Sequence, residues 1–168
     1  NPTGAWVDPA AAERLAACAD VAPIPLIVDE VFLDFPLAPH VHAKTFAARS
    51  AGLTFTLGGL SKSRGLPQLK LSWIVASGPD AKVVAALEAL EFIGDSYLSV
   101  GTPVQDALPE ILVRAAPMRD AILARCIENL ALARGIAQEV PAVELLEPGG
   151  GWSAVLRFPR VVTEEALV

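Results

Sequence analysis

Leu60-Ser61-Lys62-Ser63-Arg64-Gly65-Leu66-Pro67 closes an apolar run that begins at Leu53, and Lys70 and Trp73 follow just beyond it. The stretch sets a lysine at the end of a strand-like segment, on a loop of small residues. Gly58, Gly59 and Gly65 allow the backbone to approach a ligand closely. A lysine held in such surroundings can give up its proton and attack a carbonyl carbon, forming a Schiff base. A lysine in a loop is ordinarily a solvated surface group. What sets Lys62 apart is its company along the chain.

Two stretches precede it. Asn1-Pro2-Thr3-Gly4 is a turn-forming tetrapeptide, and Val28-Asp29-Glu30-Val31-Phe32 places two acids at the end of a short apolar run. In order and spacing, the three resemble the Asn-Pro-x-Gly, Asp-Glu-x-(Tyr/Phe) and Ser-Lys-x-x-Gly-Leu motifs of the class I/II aminotransferases of fold type I. That family has a basic residue eight positions after the lysine, near a Gly/Ser-Trp pair; here it is Lys70, followed by Ser72-Trp73. The resemblance runs from Asn1 to about Pro159.

The resemblance implies an α/β fold: the second half of a large domain, with a mixed, mostly parallel sheet and helices on both faces, then the start of a small α+β domain. Residues 1–115 fall in the large domain, which includes the start of a long connecting helix, and residues 116–168 in the small one. It implies pyridoxal 5′-phosphate as cofactor, amino transfer between an amino acid and a 2-oxo acid as reaction, and a homodimer. It also implies that residues before Asn1 complete the cofactor site, and that the arginine gripping the substrate carboxylate lies beyond Val168.

Roles carry over residue by residue. Lys62 is the expected anchor and proton shuttle. Asp29, at the end of a strand read as buried, is the expected partner of the protonated pyridine nitrogen, since a buried carboxylate needs a facing cation. Asn1 is expected to donate to the cofactor's phenolic oxygen. Phe32 stands where the family often has Tyr and cannot donate there. Ser61 and Lys70 are expected at the phosphate, with Arg64 as a further candidate. Lys70 replaces the usual Arg, a point charge in place of a bidentate fork. Gly59 stands where many relatives have Ser, and the N–H groups of a Gly58-Gly59 turn are a substitute. The Tyr97–Gln105 stretch resembles the segment that approaches the neighbouring subunit's site. Gly149 to Trp152 resembles the small-domain turn beside the substrate, although packing within the small lobe also accounts for Trp152. Two further activities fit the same motifs: a β-eliminating C–S lyase on the same fold, and an aminotransferase-like sensor domain of a transcriptional regulator. A truncated, inactive relative is a third possibility.

Composition agrees with a small-molecule site. The 168 residues are 53% hydrophobic with a net charge of −6, and no basic run suggests nucleic acid. Apolar stretches are broken well short of the roughly 20 residues a membrane helix needs. With no secretory leader, a cytoplasmic location is expected. Cys18 and Cys126 lack metal or redox spacing and read as reduced, buried thiols. His40 and His42 read as surface-loop residues, so no metal is expected.

Helices are expected over Asp8–Ala19, Pro39–Ala51, Ala81–Ile93 and Val104 to about Ala137, the last broken near Ala116-Pro117. Strands are expected at Ile24–Asp29, Thr54–Leu57, Leu71–Ala76, Val143–Leu146 and Ser153–Phe158. Thr163 reads as the N-cap of a final helix.

Overall fold

The computed structural model describes residues 2–22, 24–38, 44–159 and 166. The expected sites at Asn1, His40, His42 and Thr163 therefore lie outside the described residues. A three-stranded sheet carries the motifs. Its strands β1 (Leu26–Asp29), β2 (Thr54–Gly59) and β3 (Ser72–Ser77) lie in the order β1-β2-β3. β1 pairs parallel with β2, Leu26 opposite Thr54 and Asp29 opposite Leu57. β2 pairs antiparallel with β3, Gly59 opposite Ser72. One edge of the sheet thus gathers the ends of β1 and β2 and the start of β3.

Helix α1 (Pro9–Val21) starts as its sequence dictates: the Asp8 carboxylate accepts the Ala11 N–H at 2.9 Å, with Pro9 in the first turn. The lysine loop forms a single turn, α2 (Leu60–Ser63), then a 3-10 turn at Pro67–Leu69. Helix α3 (Asp80–Gly94) packs on β3. The long helix divides at Ala115 into α4 (Thr102–Arg114) and α5 (Ala116–Glu139). Pro117 sits in the first turn of α5, where its missing N–H costs little. Pro109, inside α4, is one proline whose position the periodicity did not flag. A hairpin of β4 (Glu144–Leu146) and β5 (Val155–Arg157) follows α5. A bidentate Arg134–Glu147 pair ties it to α5, and the guanidinium holds the Glu147 carboxyl below the usual range.

Three local expectations change. Residues 44–51 form a turn, not the end of a helix: Arg49 N–H bonds the Phe46 carbonyl at 3.0 Å, and Glu30 takes the Thr45 hydroxyl and Phe46 N–H at 2.7 Å each. Gly58 and Gly59 are strand residues, not a turn, because Gly58 faces Trp73 across the ladder and a Cβ there would overlap the indole. Cys18 is free but exposed, whereas Cys126 is half-buried and its thiol is pushed up by that burial.

Among the described residues the buried core is small: Phe35, Leu60, Leu71 and Leu130, with Thr54 and Thr56 in the central strand. Ile27 on edge strand β1 is 72% exposed, and Leu98 is fully exposed. The chain exposes 11483 Å2, against roughly 7,900 Å2 for a compact monomer of 17.6 kDa. So much uncovered apolar surface has a measurable consequence. The isolated 168-residue chain is expected to bind a hydrophobic dye and to self-associate in sedimentation. A dye-silent, monodisperse chain would show that this surface closes on itself. Among the described residues, no helix is long and apolar enough to cross a membrane.

Candidate active site

The edge shared by β1, β2 and β3 carries Asp29, Ser61, Lys62 and Lys70, whereas Asn1 lies outside the described residues. β1 ends at Asp29 and parallel β2 ends at Gly59, so Asp29 and the Ser61-Lys62 turn leave neighbouring strands at their carboxyl ends, where crevices form in α/β sheets. Lys70 returns the chain to the same edge just before β3.

Lys62 is half-buried and makes no ion pair among the described residues. Its Nζ lies 5.4 Å from the centre of the Trp152 ring and 6.0 Å from that of Phe32. Phe32, Phe35 and Trp152 meet edge to face, with centroids 5.3 to 6.5 Å apart, and Phe35 is fully buried beneath them.

Asp29 is exposed, contrary to the buried strand end that the sequence suggested. β1 is the outer strand, and no described strand lies beyond it. One carboxylate oxygen accepts the Val31 N–H at 3.0 Å, which orients the group. Asp29 and Phe32 border a cavity of about 440 Å3 that also reaches Thr3, Lys44 and Gly150.

Ser61 is half-buried, and its hydroxyl has no bonding partner among the described residues. Lys70 is exposed and, among the described non-glycine residues, alone has a positive φ, 52°. A left-handed lysine carries backbone strain of the kind that gathers at ligand sites. Arg64 is already engaged: it bonds Asp34 at 3.0 Å, the Leu112 carbonyl at 3.2 Å and the Ser63 carbonyl at 2.7 Å. It braces the lysine loop against α4 and the loop after β1.

Sequence reasoning left Trp152 undecided. A turn rich in glycine carries it to Lys62. Gly4 O accepts the N–H groups of Gly149 at 2.9 Å and Gly150 at 3.1 Å, and Phe35 O accepts that of Gly151 at 2.9 Å. Gly4 has φ +63°, and a Cβ there would come 2.8 Å from the Gly150 oxygen. Trp6 presses on the turn so closely that a Cβ on Gly150 would overlap its ring and come 2.8 Å from the Phe35 oxygen. Gly150→Ala is therefore expected to destabilise the full-length protein by about 3 kcal/mol. The urea midpoint measures this, and an unchanged midpoint would contradict such close packing. Glu30, which no motif role predicted, fixes the loop after β1 through Thr45 and Phe46. Its partners lie 15 and 16 residues away, too far for a local signal.

This arrangement of a free lysine, an oriented carboxylate and a strained second lysine at one sheet edge agrees with the profile comparison: residues 1–142 match the family Aminotransferase class I and II. The chain belongs to the class I and II aminotransferase family. Its relatives include the glutamate-pyruvate aminotransferase AlaA of Haemophilus influenzae, 24% identical over 163 residues, which cover 96% of this chain and 40% of that protein. The alanine aminotransferase of Mycobacterium tuberculosis is 26% identical over 168 residues, covering 98% and 38%. Among solved structures, the alanine aminotransferase of Pyrococcus furiosus shares the fold with a TM-score of 0.80 at 20% identity, covering 94% of this chain and 40% of that one. An Escherichia coli aminotransferase aligns with a TM-score of 0.79 at 22% identity, covering 95% and 40%. The chain thus spans about 40% of the length of the curated relatives it matches. Mixed sheet pairing and the α/β element order agree with the expected fold type.

Proposed function

We propose that the full-length protein is a pyridoxal-phosphate-dependent aminotransferase that moves an amino group between an amino acid and a 2-oxo acid. The observation that carries this reading is Lys62: an amine with no counter-ion among the described residues, just past the carboxyl end of β2, while Asp29 ends the neighbouring parallel strand β1. The donor set fits the cofactor, since it offers an amine for the aldehyde, a carboxylate for the ring nitrogen and a cation for the phosphate. When bound, pyridoxal phosphate supplies an aldehyde for covalent attachment and a ring that accepts electrons from the substrate Cα.

The chain's residues would divide the work as follows. Lys62 Nζ would hold the cofactor's aldehyde carbon and, when freed by an incoming amino acid, would serve as the base for the substrate Cα proton. Asp29, its carboxylate oriented by the Val31 N–H, would pair with the ring nitrogen and favour its protonated form. Ser61 and Lys70 would hold the phosphate, since Arg64 is committed to Asp34 and Leu112. Phe32 has no hydroxyl to offer the phenolic oxygen, so that contact falls to Asn1.

The division at Ala115 supports a large-domain portion over residues 1–115 and a small-domain portion over residues 116–168. The exposed apolar stretch at Phe92, Tyr97 and Leu98 supports a homodimer that covers it. Two free thiols suit a cytoplasmic location. The names of the relatives point to alanine, glutamate and pyruvate as the first compounds to try. Full-length protein mixed with alanine and 2-oxoglutarate should yield pyruvate and glutamate in equal amounts. With a cysteine thioether in place of alanine, release of a thiol, pyruvate and ammonia without any oxo-acid acceptor would identify elimination instead.

A further inference from the structure

We propose that Trp152, with Phe32, is a positioning residue that holds the Lys62 amine whenever it is not covalently engaged. The inference rests on the reading of Lys62 as the cofactor lysine. Both ring centres lie within 6.0 Å of Nζ, and the two rings meet edge to face at 5.6 Å, so they form two walls around one ammonium group. Phe35, fully buried, supports both rings from behind.

The chemistry of the walls suits a lysine that must bind and let go. A carboxylate in contact with the amine would compete for it with a directed hydrogen bond. An aromatic face attracts the ammonium weakly, accepts no proton and imposes no single geometry. The amine therefore rests near the reacting atoms and leaves at little cost. Trp152 reaches it from the second lobe, through the turn that Gly4 O and Phe35 O hold in place. The bonds that fix that turn thus also place the Trp152 ring beside the lysine.

The test uses cofactor-free full-length protein and an acylating reagent, with modification of each lysine followed by peptide mass spectrometry. Trp152→Leu should raise the labelling rate of Lys62 about threefold to tenfold, while Lys44 and Lys82 keep theirs. Trp152→Phe, which retains a ring face, should stay within about twofold of the wild type. Phe32→Leu should speed Lys62 labelling in the same sense, and it serves as the decisive variant should Trp152→Leu misfold and expose every lysine. Wild-type labelling of Lys62 in a folded Trp152→Leu or Phe32→Leu protein would overturn the proposal, and so would a Trp152→Phe protein as fast as Trp152→Leu. Because this readout needs no cofactor, failure of the cofactor reading appears separately, as covalent cofactor uptake that survives Lys62→Ala.

Discussion

Lys62→Ala in the full-length protein is expected to abolish covalent cofactor attachment and to lower the transamination rate by at least roughly 10^4-fold, the upper range for a positioned general acid–base group. Two losses coincide in one side chain. The anchor disappears, so borohydride no longer traps the cofactor and the visible absorbance of the attached form is lost. The proton carrier disappears too; Arg64 is held by Asp34 and Leu112, and Lys70 follows the 3-10 turn rather than the strand end. Lys62→Arg should do no better, because it restores the charge without a nucleophile. A Lys62→Ala protein that still traps pyridoxal phosphate at one specific site would sink the assignment.

Asp29→Ala should be nearly as severe in rate and much milder in binding. The carboxylate's task is to keep a positive charge on the ring nitrogen while negative charge develops at the substrate Cα. Losing it should slow Cα proton removal roughly a hundredfold to several thousandfold, equivalent to about 3–5 kcal/mol. Cofactor attachment should partly survive, since Lys62, Ser61 and Lys70 remain. Asp29→Asn separates charge from shape, because the amide retains an acceptor for the Val31 N–H, now 3.0 Å from the carboxylate. Single-turnover kinetics with alanine would decide. A near-normal rate in Asp29→Ala would remove Asp29 from the mechanism.

Much of this site was legible along the chain because its signals are local. A strand that ends in an acid, a lysine after a glycine pair and an N-cap at Asp8 can each be read within a few residues. The division at Ala115 was equally plain, one or two residues before Pro117. What stayed hidden depends on contacts across the fold. Gly58 and Gly59 read as a turn by composition but are strand residues, because Trp73 packs against bare Gly58 and Gly59 pairs closely with Ser72. The acid at position 29 read as buried because its neighbours are apolar, whereas burial depends on a strand beyond β1. The turn at residues 44–51 looked helical because alanine favours helix, yet two bonds from Glu30 outweigh that weak preference. Trp152 could be placed only once Gly4, Phe35 and the Gly149–Gly151 turn were seen together.

The bonds from Gly4 to Gly149 and Gly150 also order events during synthesis. They join the first motif to a turn nearly a whole chain length away, so the lysine loop, α3, α4 and α5 must all leave the ribosome before that joint can close. Long-range joints of this kind form late, because the entropy of closing the loop comes before any contact repays it. Until then Lys62 has Phe32 on one side and water on the other. A nascent chain stalled ahead of Pro148 would therefore carry the three motifs around Asn1, Asp29 and Lys62, yet lack the wall that makes its lysine distinct from any other.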